Sequence, residues 1–553
     1  MSHTHAAPPP FAMPMFRSFV PEKLRPWIYV LQAFCFQFSG GVYLGAMSER
    51  VGEHALMRED IQMCLYSTLA GMALYFPLLF RMKFRFTNKQ LLVASALVIL
   101  GGNILTVFSL PLPLLWLICF VCGMAKIQGT FENMSNIQLW MTPRRDFAVF
   151  FPLLHIILLT SIEVSGYLAA AFAFYAHWEL MHWLVCGLML FVLLVQTTLC
   201  RPFRPMPNIV PLRGIDWTGA LLWALMSLQV VGLLCYGNWL DWWNSPITRL
   251  LSGTSLITLA VCLHRMFTHP QPYIEPRMWT YRYAVAIILL IGVVEAIISV
   301  ENVLETTYCH GVMHYDDLRY EALCQWSLPG VWAGCLFSLG WLKLMRWNAY
   351  KLIAVGLLAL AIYQIGFYHL MASHINIELL RLPIAMRGFG CALLSIALMW
   401  CLHEVMSFEH FFQSLAIFNI LHMYVGGALG GALLAHGIDH YMADGVARTA
   451  GYFTHAVISA VPFSPAETLG AWSEALLAQS LKTLYGWIIY ITLFFALLML
   501  LWDIPVVRRR VKHIPTWPLV GLRQARKAHR WQKLQRIKRQ RRNGMVLPKE
   551  FSL

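Results

Sequence analysis

The sequence predicts an all-α integral membrane protein with fourteen transmembrane helices, arranged as two six-helix bundles with two extra linker helices between them. Three observations predict it. Of 553 residues, 58% are hydrophobic and only 12% charged, with a mean hydropathy of +0.59, whereas a soluble domain carries about 25% charged residues. Apolar windows close to the ~20 residues that cross a bilayer recur fourteen times. Two Pro-rich breaks then divide those windows into groups of six, two and six.

Residues 1–26 are Pro-rich and lack the apolar core and small-residue cleavage site of a signal peptide, so they read as a cytoplasmic N-terminal segment. The first bundle occupies 27–200, with spans at 27–46, 61–81, 90–109, 112–140, 147–174 and 179–200. The break RPFRPMPNIVPLRG (201–214) ends it. Two additional helices, 215–236 and 247–267, fill 215–268 and are followed by the second break, HPQPYIEPR (269–277). The second bundle occupies 280–503, with spans at 282–304, 325–346, 350–371, 381–402, 411–436 and 484–503. Residues 504–553 form a basic tail. A pair of six-span halves is the sign of a transporter built from repeats, with its binding site between them near the midplane.

Short cytoplasmic loops are enriched in Lys and Arg. Alternate connections carry Arg81, Lys83, Arg85 and Lys89, then Arg144 and Arg145, then Arg201, Arg204 and Arg213, then Arg265 and Arg277, then Lys343, Arg346 and Lys351. The opposite connections are nearly free of basic residues. Both termini are therefore expected in the cytoplasm, and the protein in the cell's inner or plasma membrane.

The net charge of +15 resides in the tail, because residues 508–549 hold 15 Lys/Arg and no Asp/Glu. Within it Leu522, Ala525, Ala528, Trp531, Leu534 and Ile537 recur every third residue among cations, a stripe suited to an anionic leaflet; no nucleic-acid partner is expected. Thirteen cysteines suggest no metal site, since most are scattered through spans. Cys309 and Cys324 are the exceptions. Both fall in the loop after 282–304, on a face that is oxidising in many cells, so a disulfide between them is expected. The His/Asp groups HYDD (314–317) and HGIDHY (436–441) read as solvated loop residues, and no cofactor is implied.

Several segments resemble the fourteen-span drug:proton antiporter branch of the major facilitator superfamily, the EmrB/QacA-like exporters. GIDWTGALLWALMSLQVVGLLCYGNWLDWWNSPITRLL (214–251) is similar to the family's seventh span, with its Asp-x-x-Gly opening. MRGFGCALLS (386–395) is similar to the Arg-Gly-x-Gly start of the twelfth, and FNILHMYVGGALGGALL (418–434) to the Asn-x-x-Arg and Gly-rich helix that follows, with His422 where Arg is usual. The departures place Phe84 at the acidic position of the loop FRMKFRFTNK (80–89), Ser39 where the first span usually carries Asp, and AKIQG (125–129) where the family has R-x-x-Q-G, so that Gln128 and Gly129 match and the cation moves to Lys126. The fifth-span motif G-P-x-x-G-G falls on SIEVSG (161–166), where only Gly166 survives and an acid, Glu163, has entered. The resemblance implies the major facilitator fold and export by proton antiport, with a periplasmic adaptor as partner in double-membrane cells.

A charge at mid-bilayer costs roughly 2.5–3.5 kcal/mol on insertion scales, so a membrane acid faces a cavity, finds a partner or stays protonated. Glu163 lies ~16 residues into its span, about 24 Å along a helix rising 1.5 Å per residue. Glu132, Glu295 and Lys126 fall at similar depths, and Arg387 begins a span. For Glu163 three roles are open: proton coupling or substrate contact, a static pair with Lys126 or Arg387, or a protonated hydrogen-bonder. Glu163, Glu132, Glu295, Lys126, Gln128 and Arg387 are the candidate residues of the proton and substrate pathway; His155 reads as a packing histidine. The chain contains no phosphate-binding loop. The expected activity is proton-coupled efflux of amphiphilic or lipophilic small molecules by alternating access, not an enzymatic reaction; the alternatives are a proton-coupled importer, a lipid translocator or a membrane enzyme such as an acyltransferase.

Overall fold

The computed structural model describes residues 13–39, 47–108, 110–142, 146–204, 212, 214–281, 283–372, 375–452 and 465–502. The basic tail, the Arg144–Arg145 pair and the GGVYLGA run of the first span lie outside the described residues. The described chain is built of helices: α1 (Arg25–Phe38), α2 (Arg58–Arg85), α3 (Asn88–Val107), α4 (Leu112–Met141), α5 (Phe147–Tyr175), α6 (Glu179–Thr198), α7 (Trp217–Tyr236), α8 (Pro246–Thr268), α9 (Ala284–Gly311), α10 (Ser327–Leu339), α11 (Ala349–Leu370), α12 (Arg381–Val405), α13 (His410–Thr449) and α14 (Pro465–Leu501). Twelve helices among the described residues are long and apolar enough to cross a membrane, which makes this a multi-pass membrane protein.

Each of the fourteen expected segments is helical over most of its described residues. The first and tenth are the short ones: α1 has 14 residues before the undescribed run, and α10 has 13 before it widens into a π-turn at Gly340–Leu344. The largest differences lie at α13 and α14. The expected spans end at His436 and begin again at Leu484, but the helices run on through Thr449 and start from Pro465. Residues such as Glu474 and Lys482 lower the hydropathy without breaking the helix, because Ala, Leu, Glu, Gln and Lys are all good helix formers.

Polar side chains set the helix starts. Thr87 and Gln90 form a reciprocal capping box at α3, and Asp146, Asp216 and Asn348 accept from the first-turn amides of α5, α7 and α11, as capping residues do. The Asp-x-x-Gly that opens α7 is this cap, Asp216 accepting from Gly219 N at 2.9 Å. Arg265 of α8 donates Nε and Nη2 to the same carboxylate at 2.6–3.0 Å, tying the two additional helices together. Burial works to raise the Asp216 carboxyl, and the Arg265, Gly219 and Thr218 donors more than offset it, holding the group below its usual range. Near the start of the chain, Arg17 N donates to Leu199 O and Arg201 N to Met15 O, pinning residues 13–20 beside the end of α6.

The two bundles repeat one packing device. A Cβ added at Gly71 of α2 would lie 2.0 Å from Phe120 O, and one at Gly123 of α4 2.0 Å from Thr68 O. In the second bundle, the equivalent second and fourth helices, α10 and α12, meet through Gly330, 1.8 Å from Ala385 O on the same construction, and Gly388, 2.2 Å from Ser327 O. Small residues allow such backbone approach where lipid gives no hydrophobic drive between helices.

The halves meet along α5 with α10 and along α2 with α13. On the face that bears the basic loops, Phe80, Phe131 and Phe412 stack edge to face at 4.3–5.5 Å, Phe147 lies 4.2 Å from the His403 ring, and Lys343 pairs with Asp146. Aromatic rings and an ion pair thus close the interface on that face.

Candidate functional site

The site forms where α9 leaves α-helical geometry. A π-turn at Glu301–Glu305 widens the helix and directs two carboxylates, four residues apart, toward Arg387, which lies almost two turns into α12. Arg387 Nη1 donates to Glu305 Oε1 at 2.7 Å, and Nε lies 3.3 Å from Glu301 Oε2. Its remaining terminal nitrogen, Nη2, reaches across to the first half, 3.7 Å from Glu163 Oε1 on α5. The guanidinium is 6% exposed and the Glu305 side chain 0%, whereas Glu163 and Glu301 keep 22% and 27%.

Glu305 is saturated: Tyr363 of α11 donates to its Oε2 at 2.7 Å, and Tyr320 and Arg387 share Oε1. It anchors the guanidinium. Glu163 makes the longest of the three contacts with Arg387, and its stretch of α5 is held by Gln325 Nε2 donating to Glu163 O at 2.9 Å and Trp332 of α10 donating to Thr160 Oγ1 a turn earlier. A further acid arrives from a short helix, Asp317–Cys324, capped by Asp316 and packed on α5. Its Glu321 lies against Gly166, and a Cβ there would come 2.8 Å from Glu321 Oε2. Burial, with Glu163 nearby, pushes the Glu321 carboxyl up to about 8, despite the opposing Arg387. Three carboxylates therefore contact one guanidinium, and a fourth, Glu321, stands nearby.

The sequence candidates separate into distinct places. Glu163 and Arg387 are brought together; Lys126 is not Glu163's partner. Lys126, buried on α4, lines a small cavity with Ser39, Thr68, Asn103 and two cysteines, and has no ion-pair partner among the described residues. One residue of displacement along a helix turns a side chain by about 100°, which carries the cation away from the direction that a side chain at Ala125 takes. Gln128 is buried, and its amide makes no hydrogen bond among the described residues. Glu132 pairs with Lys83 at 3.2 Å, with Asn136 also donating to it, close to the basic-loop face and away from Arg387. Glu295 of α9 pairs with His422 of α13, Nδ1 to Oε2 2.7 Å, so the histidine in the arginine slot still meets an acid. His155 bonds Phe151 O at 2.8 Å.

The expected Cys309–Cys324 disulfide is not formed. Both are buried free thiols, and the Cys324 Sγ is turned toward Glu305 Oε1 at 3.9 Å, so it belongs to the acid cluster. Glu301, Glu305 and Glu321 escaped sequence reasoning. The first two carry a legible signal, acids four apart near a span's end, but a hydropathy window that stops at Leu304 leaves Glu305 outside. Glu321 carries none, since its place depends on a loop folding back onto α5.

No family model matches the sequence, and no curated protein matches it. Solved structures do. A structure of the peptide transporter POT in complex with sulfate is similar with a TM-score of 0.56 at 14% identity, over 91% of this chain and 97% of that one. The nucleoside transporter NupG is similar with a TM-score of 0.51 at 13% identity, over 86% and 99%, and the human organic anion transporter MFSD10 (TETRAN) with a TM-score of 0.52 at 11% identity, over 86% and 100%. The chain has the fold that these transporters share.

Proposed function

We propose that the chain is a secondary active transporter that works by alternating access and couples efflux of amphiphilic or lipophilic small molecules to proton influx. The observation that carries this reading is the 3.7 Å contact between Arg387 of one half and Glu163 of the other. Arg387 is held in its own half by Glu301 and Glu305, so Glu163 is the partner it can give up. A proton on Glu163 removes the charge attraction across the interface and weakens the hold between the halves on that side, where the Gln325 and Trp332 bonds to α5 remain; a two-state element biased by one protonation is what coupling requires. Charge counting supports the same reading, since unmatched buried charges cost several kcal/mol each, and four acids around one guanidinium call for protons or a cation.

The same reading takes α1 and α10 as spans, for fourteen in all. It sets both termini at the cytoplasmic face of an inner or plasma membrane, lays the basic tail on the anionic leaflet, and places the chain with the EmrB/QacA-like exporters, a periplasmic adaptor being the partner in double-membrane cells. Proteoliposomes containing a pH dye test it, with ethidium as the probe and the pH gradient imposed in each direction. Ethidium movement that shifts internal pH only when protein is present supports the reading. Ethidium movement indifferent to the gradient overturns the coupling.

A further inference from the structure

The short helix Asp317–Cys324 lies on the face opposite the basic loops and is clamped to α5 at two points one turn apart, Gln325 Nε2 on Glu163 O and Glu321 against Gly166. Glu321 is only partly exposed. It stands between outside water and the acid cluster, three residues along α5 from Glu163, or about 4.5 Å of helix rise. Gly166 is the one glycine kept from the fifth-span motif, and the carboxylate occupies the space a side chain there would take.

Resting on the transport reading above, we infer that Glu321 is the external proton-loading residue of the site: it takes a proton from outside water and passes it to Glu163. The transfer balances simply. A hydronium ion gives its proton to the Glu321 carboxylate and becomes water; the Glu321 carboxyl then gives that proton to the Glu163 carboxylate through a bridging water, and Glu321 returns to its charged form while Glu163 leaves Arg387. The charged and titratable groups around Glu321 are Glu163 from α5, Glu305 from α9, Arg387 from α12, and Asp317 and Cys324 from its own helix; the nearby end of α10 contributes no ionising group. The cluster's single guanidinium is already taken up by Glu301 and Glu305, and among the described residues Glu321 has no ion-pair partner of its own to keep it charged.

Two measurements on the full-length protein test this. Thermal stability is compared between about pH 5 and pH 8 for the wild type, Glu321→Gln and Gly166→Ala, the last displacing the carboxylate without removing it. A carboxyl raised on folding from 4.5 to about 8 contributes stability that is full below the lower value and lost as pH rises through the upper one. The wild-type midpoint should therefore fall with rising pH more steeply than that of either variant. In proteoliposomes, ethidium-driven proton flux should drop about tenfold or more in Glu321→Gln, while ethidium exchange without a gradient persists. Parallel stability profiles, or wild-type proton flux in Glu321→Gln, overturn the inference alone. A wild type that moves ethidium without protons overturns the transport reading and this inference with it.

Discussion

Arg387 Nη2 and Glu163 Oε1, 3.7 Å apart, join the two halves of the molecule. The guanidinium is almost fully buried and keeps two tighter bonds in its own half, whereas Glu163 retains access to water. The asymmetry assigns the roles: Arg387 is the fixed charge and Glu163 the releasable one.

Glu163→Gln should accordingly fold. Arg387 retains Glu301 and Glu305, so the loss is expected to stay below the ~3–5 kcal/mol of an orphaned buried charge. Uphill ethidium transport should be lost and downhill exchange kept, measured in the same vesicles with and without a proton gradient. A variant that still concentrates ethidium shows that Glu163 does not carry the proton.

Glu305→Ala should behave differently. It removes the shortest bond to Arg387 and strands the Tyr363 hydroxyl, which donates at 2.7 Å, and a broken buried pair costs about 3–5 kcal/mol. Poor expression or a clearly lowered unfolding midpoint is the expected outcome; wild-type stability would mean that Glu301 alone suffices.

Lys83 and Glu132 form a buried pair at 3.2 Å. Lys83→Met alone should destabilise by about 3–5 kcal/mol, and Lys83→Met with Glu132→Gln should recover most of that, because a matched neutral pair leaves no charge behind. Proton coupling should survive in the double variant. Its loss would return Glu132 to the coupling pathway.

Gly123→Val should cost at least the ~1–3 kcal/mol of an overpacked core, since even a Cβ would lie 2.0 Å from backbone oxygen. Gly330→Val should do likewise at 1.8 Å. Gly101 and Gly253, with open space around them, serve as controls whose alanine variants do not lower the unfolding midpoint and raise it if anything, since Ala outranks Gly in a helix.

A reporter active only in the cytoplasm should score positive when inserted near Lys89 or Pro202 and at the C-terminus, and negative near Val312 and Met442. An external C-terminus would mean that the span count is off by one, α1 or α10 being the helix at fault.

Much of the architecture is written in composition alone. A stretch of ~20 apolar residues must bond its own backbone in lipid, so it is a helix wherever it folds, and the positions of α2–α9 and α11–α12 follow within a few residues. The sequence also marks which intramembrane residues are anomalous, because charges are rare there; Glu163, Glu132, Glu295, Lys126 and Arg387 stand out on that ground. It does not say which of them meet. Pairing depends on the rotation of each helix about its axis, and an all-round apolar helix carries little pattern to fix that rotation. The tertiary structure decided that Arg387 takes Glu163 and leaves Lys126 alone, that a π-turn turns Glu301 and Glu305 inward, and that a short loop helix brings Glu321 onto Gly166. Those contacts join residues up to 224 positions apart, from Glu163 to Arg387, and only close packing of helices from both halves puts their charges within reach of one another.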